Sequence, residues 1–279
     1  MDVRCAIVPP APVPYREPLY RALHEREGLA ICVIYQSGGQ PSWDVPADWF
    51  PEEHAYPAVH LRSWQRRRAG RTPMVSPRGI ERALRNANPD CVVVWEYSAA
   101  SLRALAWCRR HRRAYVIFTE CTPEIDSMLA GWQLGLHRRL ARQADGVIAA
   151  SSAARNRLRS FGVPDERIHV ALQAADVERF RSAATDRRGE GFKLISVGRL
   201  VPDKNFGRLI EAFSRAGAPG ELEIVGTGFL RDELEQQAHR LAARVRFRGH
   251  VRPDELPGYR IVDEPPQLRH FTARFEPVS

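Results

Sequence analysis

The chain has 279 residues, of which 44% are apolar and 27% charged, the balance of a globular protein of about two domains rather than a disordered chain. No apolar run reaches the ~20 residues that a membrane-spanning helix needs. The first apolar run ends at Pro9 and Pro10 and is too short for the core of a signal peptide. The sequence therefore predicts a cytoplasmic protein.

The net charge of +9, from 42 basic and 33 acidic residues, is concentrated in arginine-rich clusters. These are Arg66–Arg68, Arg109–Arg113 and His137–Arg139. One interpretation is a surface that faces anionic lipid head groups or a phosphorylated acceptor. The alternative, which we favour slightly, is a set of solvated helix faces. Nucleic acid is not expected as a partner, because no aromatic-interleaved basic motif accompanies the charge.

The five cysteines (Cys5, Cys32, Cys91, Cys108 and Cys121) are odd in number and lack the paired spacing of metal ligands. Three of them lie in apolar, strand-like runs, where a small buried thiol is the simpler interpretation. We therefore predict no disulfide, no zinc site and no catalytic thiol among them.

Strand-like and helix-like segments alternate along the first half of the chain. The predicted strands are Val3–Val8, Leu29–Tyr35, Cys91–Trp95, Tyr115–Thr119, Gly146–Ala150 and Ile168–Ala171. The predicted helices are Arg16–Arg26, Ile80–Ala87, Ser101–Arg112, Leu134–Gln143 and Ala153–Phe161. Such alternation predicts a doubly wound parallel sheet. The stretch Gln36–Pro77, rich in Pro and Trp, is predicted to be an irregular excursion over the surface.

A polar, poorly patterned stretch, Glu178–Glu190, separates this half from a second series of strands. The later strands are predicted at Phe192–Val197, Glu221–Val225 and Val245–Arg248, with helices at Asn205–Ala216 and Arg231–Ala243. Four regions follow: an N-terminal Rossmann-like domain at 1–177, a linker at 178–190, a partial second Rossmann-like domain at 191–259 and an atypical tail at 260–279.

The stretch from Val197 to Phe213 has the composition of a strand end, a turn and a helix start. Gly198 allows a sharp turn, and Asp203 is the natural N-cap of the helix. Arg199 and Lys204 are therefore expected beside a helix N-terminus, where backbone N–H groups and the helix dipole favour an anion. A cation there is unfavourable unless an anion joins it, so this pair predicts an anion-binding site.

Other candidate positions also follow strand ends. Gly226 and Gly228 form a Gly-x-Gly turn, which alone is a weak nucleotide-binding signal, and a plain tight turn is about equally compatible. Glu120 is expected at the carboxyl edge of the first sheet, where ligands bind in open α/β folds. It could contact an acceptor hydroxyl or cap the next helix, and the sequence does not favour either role.

Three segments of the second half, Val197–Phe213, Leu222–Glu235 and Val245–Leu256, together resemble the donor domain of family 4 retaining glycosyltransferases. Weaker similarity in the first half includes Pro12–Leu23, so that the likeness covers most of Pro12–Tyr259. The resemblance implies a GT-B fold, with two doubly wound Rossmann-like domains of which the second is incomplete here.

The same resemblance implies that Arg199 and Lys204 hold the diphosphate of a nucleotide-sugar, such as a UDP- or GDP-sugar, near the turns at Gly198, Gly226 and Gly228. It implies transfer of the sugar to a glycan or lipid-linked acceptor of the cell envelope, without a metal or other cofactor. Glu120 is the catalytic candidate, although many relatives place a histidine near this point. The expected location is the cytoplasm, with peripheral contact at the anionic inner face of the membrane.

The sequence also departs from the family pattern. The loop Pro9–Tyr15 has prolines where relatives have a glycine-rich turn. The match stops at Tyr259, and the Glu-x7-Glu motif that contacts the donor sugar in relatives has no counterpart after it. We therefore expect a truncated donor domain and impaired transfer, or alternatively a non-catalytic fragment that at most binds nucleotide. A GT-B sugar epimerase fits these motifs less well.

Overall fold

The structure is a computed structural model that describes residues 2–37, 46–51, 53–68, 71–174, 176–182, 193–217 and 219–256. They form two compact units, divided between Asp176 and Val177, each with its own parallel sheet and hydrophobic core. Within these described ranges, no helix is long and apolar enough to span a membrane. The predicted fold class, α/β with two parallel sheets, is confirmed.

The first unit alternates strands and helices, as the sequence predicted. Its strands are β1 (Val3–Val8), β2 (Leu29–Tyr35), β3 (Ala58–His60), β4 (Arg62–Arg68), β5 (Arg71–Arg78), β6 (Cys91–Trp95), β7 (Ala114–Thr119), β8 (Gly146–Ala149) and β9 (Ile168–Val170). Its helices are α1 (Glu17–His24), α2 (Ile80–Ala87), α3 (Ala99–His111), α4 (Gly131–Gln143) and α5 (Ser152–Ser160). All strands except β4 and β5 form one parallel sheet in the order β3-β2-β1-β6-β7-β8-β9.

The two faces of this sheet have separate cores, because successive residues of a strand point to opposite sides. Helices α2 to α5 cover one face, where Leu84 and Leu140 pack in the same cluster as Val94. Helix α1 covers the other face, where Tyr20 packs in the cluster that contains Val33. All the parallel strands end at one edge, so the loops that follow them lie together there.

The prediction of an irregular Gln36–Pro77 is wrong for part of that stretch. It contains the short parallel strand β3 and an antiparallel ribbon formed by β4 and β5. The run of arginines and prolines hides these strands, because it lacks the apolar alternation of a half-buried strand. A ribbon strand with a single partner tolerates proline, since one of its edges needs no ladder hydrogen bond.

The second unit is a smaller version of the same arrangement. Its helices are α6 (Val177–Ser182), α7 (Phe206–Arg215) and α8 (Arg231–Arg240). Its strands, β10 (Lys193–Val197), β11 (Glu221–Val225) and β12 (Val245–Gly249), form a parallel sheet in chain order. Leu222 and Ile224 of the central strand are fully buried and share a core with Ile210 of α7 and Leu234 of α8.

Helix α6 includes residues 178–182, the first part of the segment predicted as a linker. A guanidinium N–H of Arg179 donates to the main-chain oxygen of Pro253 at 2.9 Å, a tertiary contact that local composition does not reveal. Residues 183–192 and 257–279, which include the rest of the predicted linker and the tail, lie outside the described residues. The four predicted region bounds therefore stay predictions.

Candidate functional site

The carboxyl edge of the second sheet is formed by two loops that are bonded to each other. The loop after β10 begins at Gly198, whose N–H donates to Val225 O at 2.9 Å. The N–H of Leu200 then donates to Thr227 O at 2.8 Å, and Leu200 O accepts from the N–H of Leu230 at 3.1 Å. These bonds fix the main chain on both sides of Arg199, so its side chain projects from a well-defined position.

Two glycines allow the loops to approach this closely. A Cβ added to Gly226 would overlap the carbonyl oxygen of Gly198, and one added to Gly228 would overlap that of Leu200. Gly226 also has a φ of 139°, which favours glycine. The Gly-x-Gly turn is therefore required by the contact between the loops, whether or not it also contacts a ligand.

Lys204 returns to the same place after a short turn. Its Cγ lies 3.9 Å from the point where a Cβ of Gly198 would be, and its N–H donates to Val201 O at 3.1 Å. The structure thus brings together five predicted site residues at this edge: Gly198, Arg199, Lys204, Gly226 and Gly228.

The prediction that Asp203 caps the following helix is wrong. Residues Pro202–Lys204 form a turn of 3-10 helix, and Asn205, with a φ of 53°, is the N-cap of α7. The extra turn arises because Pro202 fits the start of a 3-10 turn and Asn tolerates a positive φ. Asn205 makes no side-chain cap. The start of α7 therefore presents helix amides together with the nearby cations, which is the electrostatic environment that an anion prefers.

Glu120 lies in the first unit, just after β7, at the carboxyl edge of the large sheet. Its Oε1 accepts from Arg16 Nη2 at 2.9 Å and from Trp95 Nε1 at 3.3 Å. The Arg16 guanidinium stacks over the Trp95 ring, 4.1 Å from its centre. The Glu120 side chain remains 42% exposed, so a ligand can reach this carboxylate while its neighbours hold it in place.

The sequence interpretation missed Glu96, which holds the loop that carries Glu120. Its carboxylate accepts from the Glu120 N–H at 2.5 Å, from Thr119 Oγ1 at 2.7 Å and from Cys121 Sγ at 3.2 Å. Burial raises the pKa of Glu96, and the three donors partly offset that rise. The sequence did contain a signal for Glu96, because this acidic residue directly follows the strand Cys91–Trp95. That strand pairs with β7, which ends just before Glu120.

A second network at this end of the unit surrounds a buried arginine. Arg157 is 1% exposed; its Nε donates to Asp126 Oδ1 at 2.7 Å and its Nη2 to His137 Nδ1 at 3.1 Å. The His137 ring stacks on Tyr97 with their centres 4.2 Å apart. Burial and the charge of Arg157 lower the pKa of His137 to about 4, so the ring is neutral near pH 7.

A third set of polar side chains links α1 to β3 and to the residues just before it. Glu17 accepts from Tyr56 Oη at 2.6 Å and lies 3.0 Å from Nδ1 of His54, whose Nε2 is 3.1 Å from that of His60. In the part of the chain that the structure describes, no group of three or more His, Cys, Asp or Glu side chains is arranged to hold a metal ion.

Two Rossmann-like units, each built around its own parallel sheet, are the architecture of the GT-B class. The chain belongs to Glycosyltransferase Family 4, whose sequence profile matches residues 19–179. The family predicted from the sequence is thereby confirmed.

Similarity to a curated relative is limited to part of the chain. Over 95 residues the chain is 32% identical to WcaL of Salmonella typhimurium, a protein named as a glycosyltransferase of colanic acid biosynthesis. The match covers 33% of this chain and 23% of WcaL, so it spans less than a quarter of that protein.

Solved structures show the fold more completely. Anabaena HepE, in complexes with UDP and with UDP-glucose, is similar with TM-scores of 0.66 and 0.67 at 19% identity, covering 92% of this chain and 71% of HepE. The UDP-GlcNAc 2-epimerase of Methanocaldococcus jannaschii has a TM-score of 0.53 at 13% identity, covering 92% of this chain and 76% of the epimerase. At these identities the likeness shows the fold alone.

Proposed function

We propose that the carboxyl edge of the second sheet binds the diphosphate of a nucleotide-sugar and that the chain transfers the sugar to a glycan or lipid-linked acceptor. The observation that carries this is the convergence of Arg199, Lys204 and the start of α7 around two interlocked glycine turns. Charge-assisted contacts of this kind suit a diphosphate. Family membership and the UDP complexes of HepE support a nucleotide-sugar as the donor.

In this proposal the two cations supply the electrostatic part of catalysis. When the bond between the sugar and the diphosphate breaks, negative charge develops on the departing phosphate oxygens. Arg199 and Lys204 offset that charge, a contribution that is often the largest single one in an enzyme. Since protein groups supply the positive charge, the proposal includes no metal ion.

The acceptor is proposed to bind at the edge of the first sheet, where Glu120 is the candidate for contact with its hydroxyl group. Support comes from the position of this carboxylate, which is exposed on one side and held by Arg16 and Trp95 on the other. Glu96 acts indirectly by fixing the main chain at Glu120, so we assign it a positioning role.

Calorimetric titration of the chain with UDP and GDP tests the donor site. We expect Arg199→Ala to weaken binding by about 10- to 150-fold, because one charge-assisted phosphate contact contributes on the order of 1.5–3 kcal/mol. Arg215→Ala is the matched control, since it removes a charge from the far end of α7, where the side chain is 83% exposed. Absence of binding at millimolar nucleotide in a folded sample, or equal loss in both variants, contradicts the proposal.

A second candidate function is nucleotide binding without efficient transfer. It rests on residues 260–279, whose sequence does not continue the family pattern and which lie outside the described residues. Correct placement of the sugar matters, since a misplacement of ~1 Å can cost on the order of 10²-fold in rate. Donor hydrolysis and transfer to lipid acceptors, measured on the 279-residue chain and on a family member that carries the Glu-x7-Glu motif, separate the two candidates.

A further inference from the structure

Two histidine side chains of the first unit face each other through their Nε2 atoms. His54 lies in the segment before β3, and His60 is the last residue of β3. Their Nε2 atoms are 3.1 Å apart, and their ring centres are 5.2 Å apart. Both rings lie close to the ring of Tyr35 at the end of β2, with centres 5.1 and 5.0 Å from it. We call His54 and His60 the histidine pair.

A carboxylate sets the tautomer of the inner ring of this pair. Glu17 Oε2 lies 3.0 Å from Nδ1 of His54, and a carboxylate only accepts hydrogen bonds, so Nδ1 carries the hydrogen. The Nε2 of the neutral His54 ring therefore bears a lone pair, and it is this atom that faces His60. Glu17 is held in turn by the hydroxyl groups of Tyr56 and Tyr35, at 2.6 and 3.2 Å.

The histidine pair is buried on one side and open on the other. The His54 side chain is 6% exposed, whereas His60 lies at the surface. Burial and the neighbouring His54 ring lower the pKa of His60, so its ring is mostly neutral near pH 7. A cation from solvent can therefore reach two neutral imidazole nitrogens from the side of His60.

We propose that the histidine pair binds a divalent transition-metal ion, of which Zn²⁺ and Cu²⁺ are the representative cases. With metal–nitrogen bonds of about 2.0–2.1 Å, the 3.1 Å separation gives an angle of about 100° at the metal. That angle lies between the ~90° of square-planar and the ~109° of tetrahedral coordination. In the metal-free form one hydrogen lies between the two nitrogens, and on binding it moves to Nδ1 of His60.

Glu17 completes the arrangement as the outer partner of a ligand. A metal-bound histidine commonly donates its other N–H to a carboxylate, which orients the ring and makes it a better ligand. Glu17 stands in that relation to His54 before any ion is bound. The geometry that a metal requires of the inner ligand is therefore already present.

The site differs from a catalytic or structural zinc centre in its number of protein ligands. Such centres use three or four, and in the described ranges no group of three His, Cys, Asp or Glu side chains is arranged to hold a metal. Water fills the remaining positions here, so we expect a modest affinity that favours Cu²⁺ over Zn²⁺ and excludes Mg²⁺, which prefers oxygen ligands. This inference goes beyond the proposed function, because the ion takes no part in sugar transfer.

The expected consequence of metal binding is a more stable first unit. The ion would connect the end of β3 to the segment before it, and through Glu17 to the start of α1. A ligand that binds the folded state alone raises its stability by mass action. Zinc should therefore raise the urea midpoint of unfolding in proportion to the logarithm of its concentration.

The test is calorimetric titration of the chelator-treated, dialysed full chain with ZnCl₂ and with MgCl₂ at pH 7.5. We expect one zinc ion per chain and no binding of magnesium. His60→Ala should lower the zinc affinity by about 100-fold, because one of two ligands is lost. Glu17→Gln should lower it by about 10- to 100-fold. The electron paramagnetic resonance spectrum of bound Cu²⁺ should show two imidazole nitrogens in wild type.

The matched control is His169→Ala, which removes an exposed histidine from β9 at the opposite edge of the same sheet. It should leave zinc affinity and the zinc-induced rise of the urea midpoint unchanged, whereas His60→Ala should lose that rise. No zinc binding up to 1 mM, an equal loss in His169→Ala, or unchanged affinity in His60→Ala would overturn the proposal. A copper spectrum with fewer than two nitrogens would do so without any variant.

Discussion

The peptide carbonyl of Gly198 lies where a side chain at Gly226 would have to be. A Cβ built on Gly226 overlaps that oxygen, and the φ of 139° at Gly226 is itself unfavourable for other residues. The turns that follow β10 and β11 are therefore in direct main-chain contact. This contact sets the position of Arg199 between them.

We expect Gly226→Ala to separate the two loops and weaken UDP binding at least 10-fold, because Arg199 would lose its fixed main chain. Calorimetry with UDP measures the affinity, and a urea titration measures the accompanying loss of stability. The control is Gly217→Ala, whose φ of 56° is also unfavourable but whose Cβ meets no atom within 4 Å. If both variants bind UDP like wild type, close approach of the loops is not what positions the site.

Removal of the Glu96 carboxylate should destabilise the first unit. Glu96→Ala leaves the hydroxyl of the buried Thr119 and the more exposed N–H of Glu120 without their acceptor. We expect a loss on the order of 2–4 kcal/mol in the free energy of unfolding, measured with urea. Glu166→Ala, on an exposed turn, should leave the urea midpoint of unfolding at the wild-type value. A wild-type midpoint for Glu96→Ala as well would contradict the positioning role of Glu96.

Glu120 should affect the acceptor and not the donor. Glu120→Ala is expected to lower kcat/KM for the acceptor by about 10²-fold, while UDP affinity stays at the wild-type value. For Glu120→Gln we expect a kcat/KM between those of wild type and Glu120→Ala. The amide oxygen can still accept from Trp95, but the ion pair with Arg16 is lost. Transfer assays with variable acceptor, together with UDP calorimetry, provide both readouts. A similar loss of UDP affinity in Glu120→Ala would contradict the assignment of Glu120 to the acceptor.

The stability of the chain should depend on pH through His137. Its pKa falls to about 4 in the folded protein, below the unfolded value near 6.5, so the unfolded state binds more protons between these values. Stability is therefore complete above pH ~6.5 and falls as pH is lowered toward 4. The loss is at most about 3 kcal/mol, and less because the ring is partly exposed.

The control for this prediction is His137→Asn, whose side-chain oxygen can replace Nδ1 as acceptor for Arg157 but does not titrate. Urea unfolding at several pH values between 4 and 7 should give a smaller slope of stability against pH for the variant. Identical slopes would mean that other groups dominate the pH dependence.

Much of the fold could be read from local pattern. The apolar runs of β2 and β6 were predicted with the bounds that the structure has, because strands buried on both faces are continuous apolar segments. The bounds of β1 and β11, which include charged residues, were also predicted as observed. The ribbon of β4 and β5 was missed, because its sequence is rich in Arg and Pro and its pairing is what makes it a strand. Helix α6 was missed for a related reason, since Arg179 gains its partner from Pro253 far along the chain.

The sequence by itself determined the alternation of strands and helices, the family, and the glycines and cations that follow β10 and β11, because these depend on residue type and short-range spacing. The tertiary structure alone decided that Gly226 must be glycine, that Glu96 holds Glu120, and that Arg109 of α3 bonds to the main chain at the end of α4. Each of these depends on the distance between segments that are remote in sequence. Such distances are set by how the sheet orders its strands, which no local pattern contains.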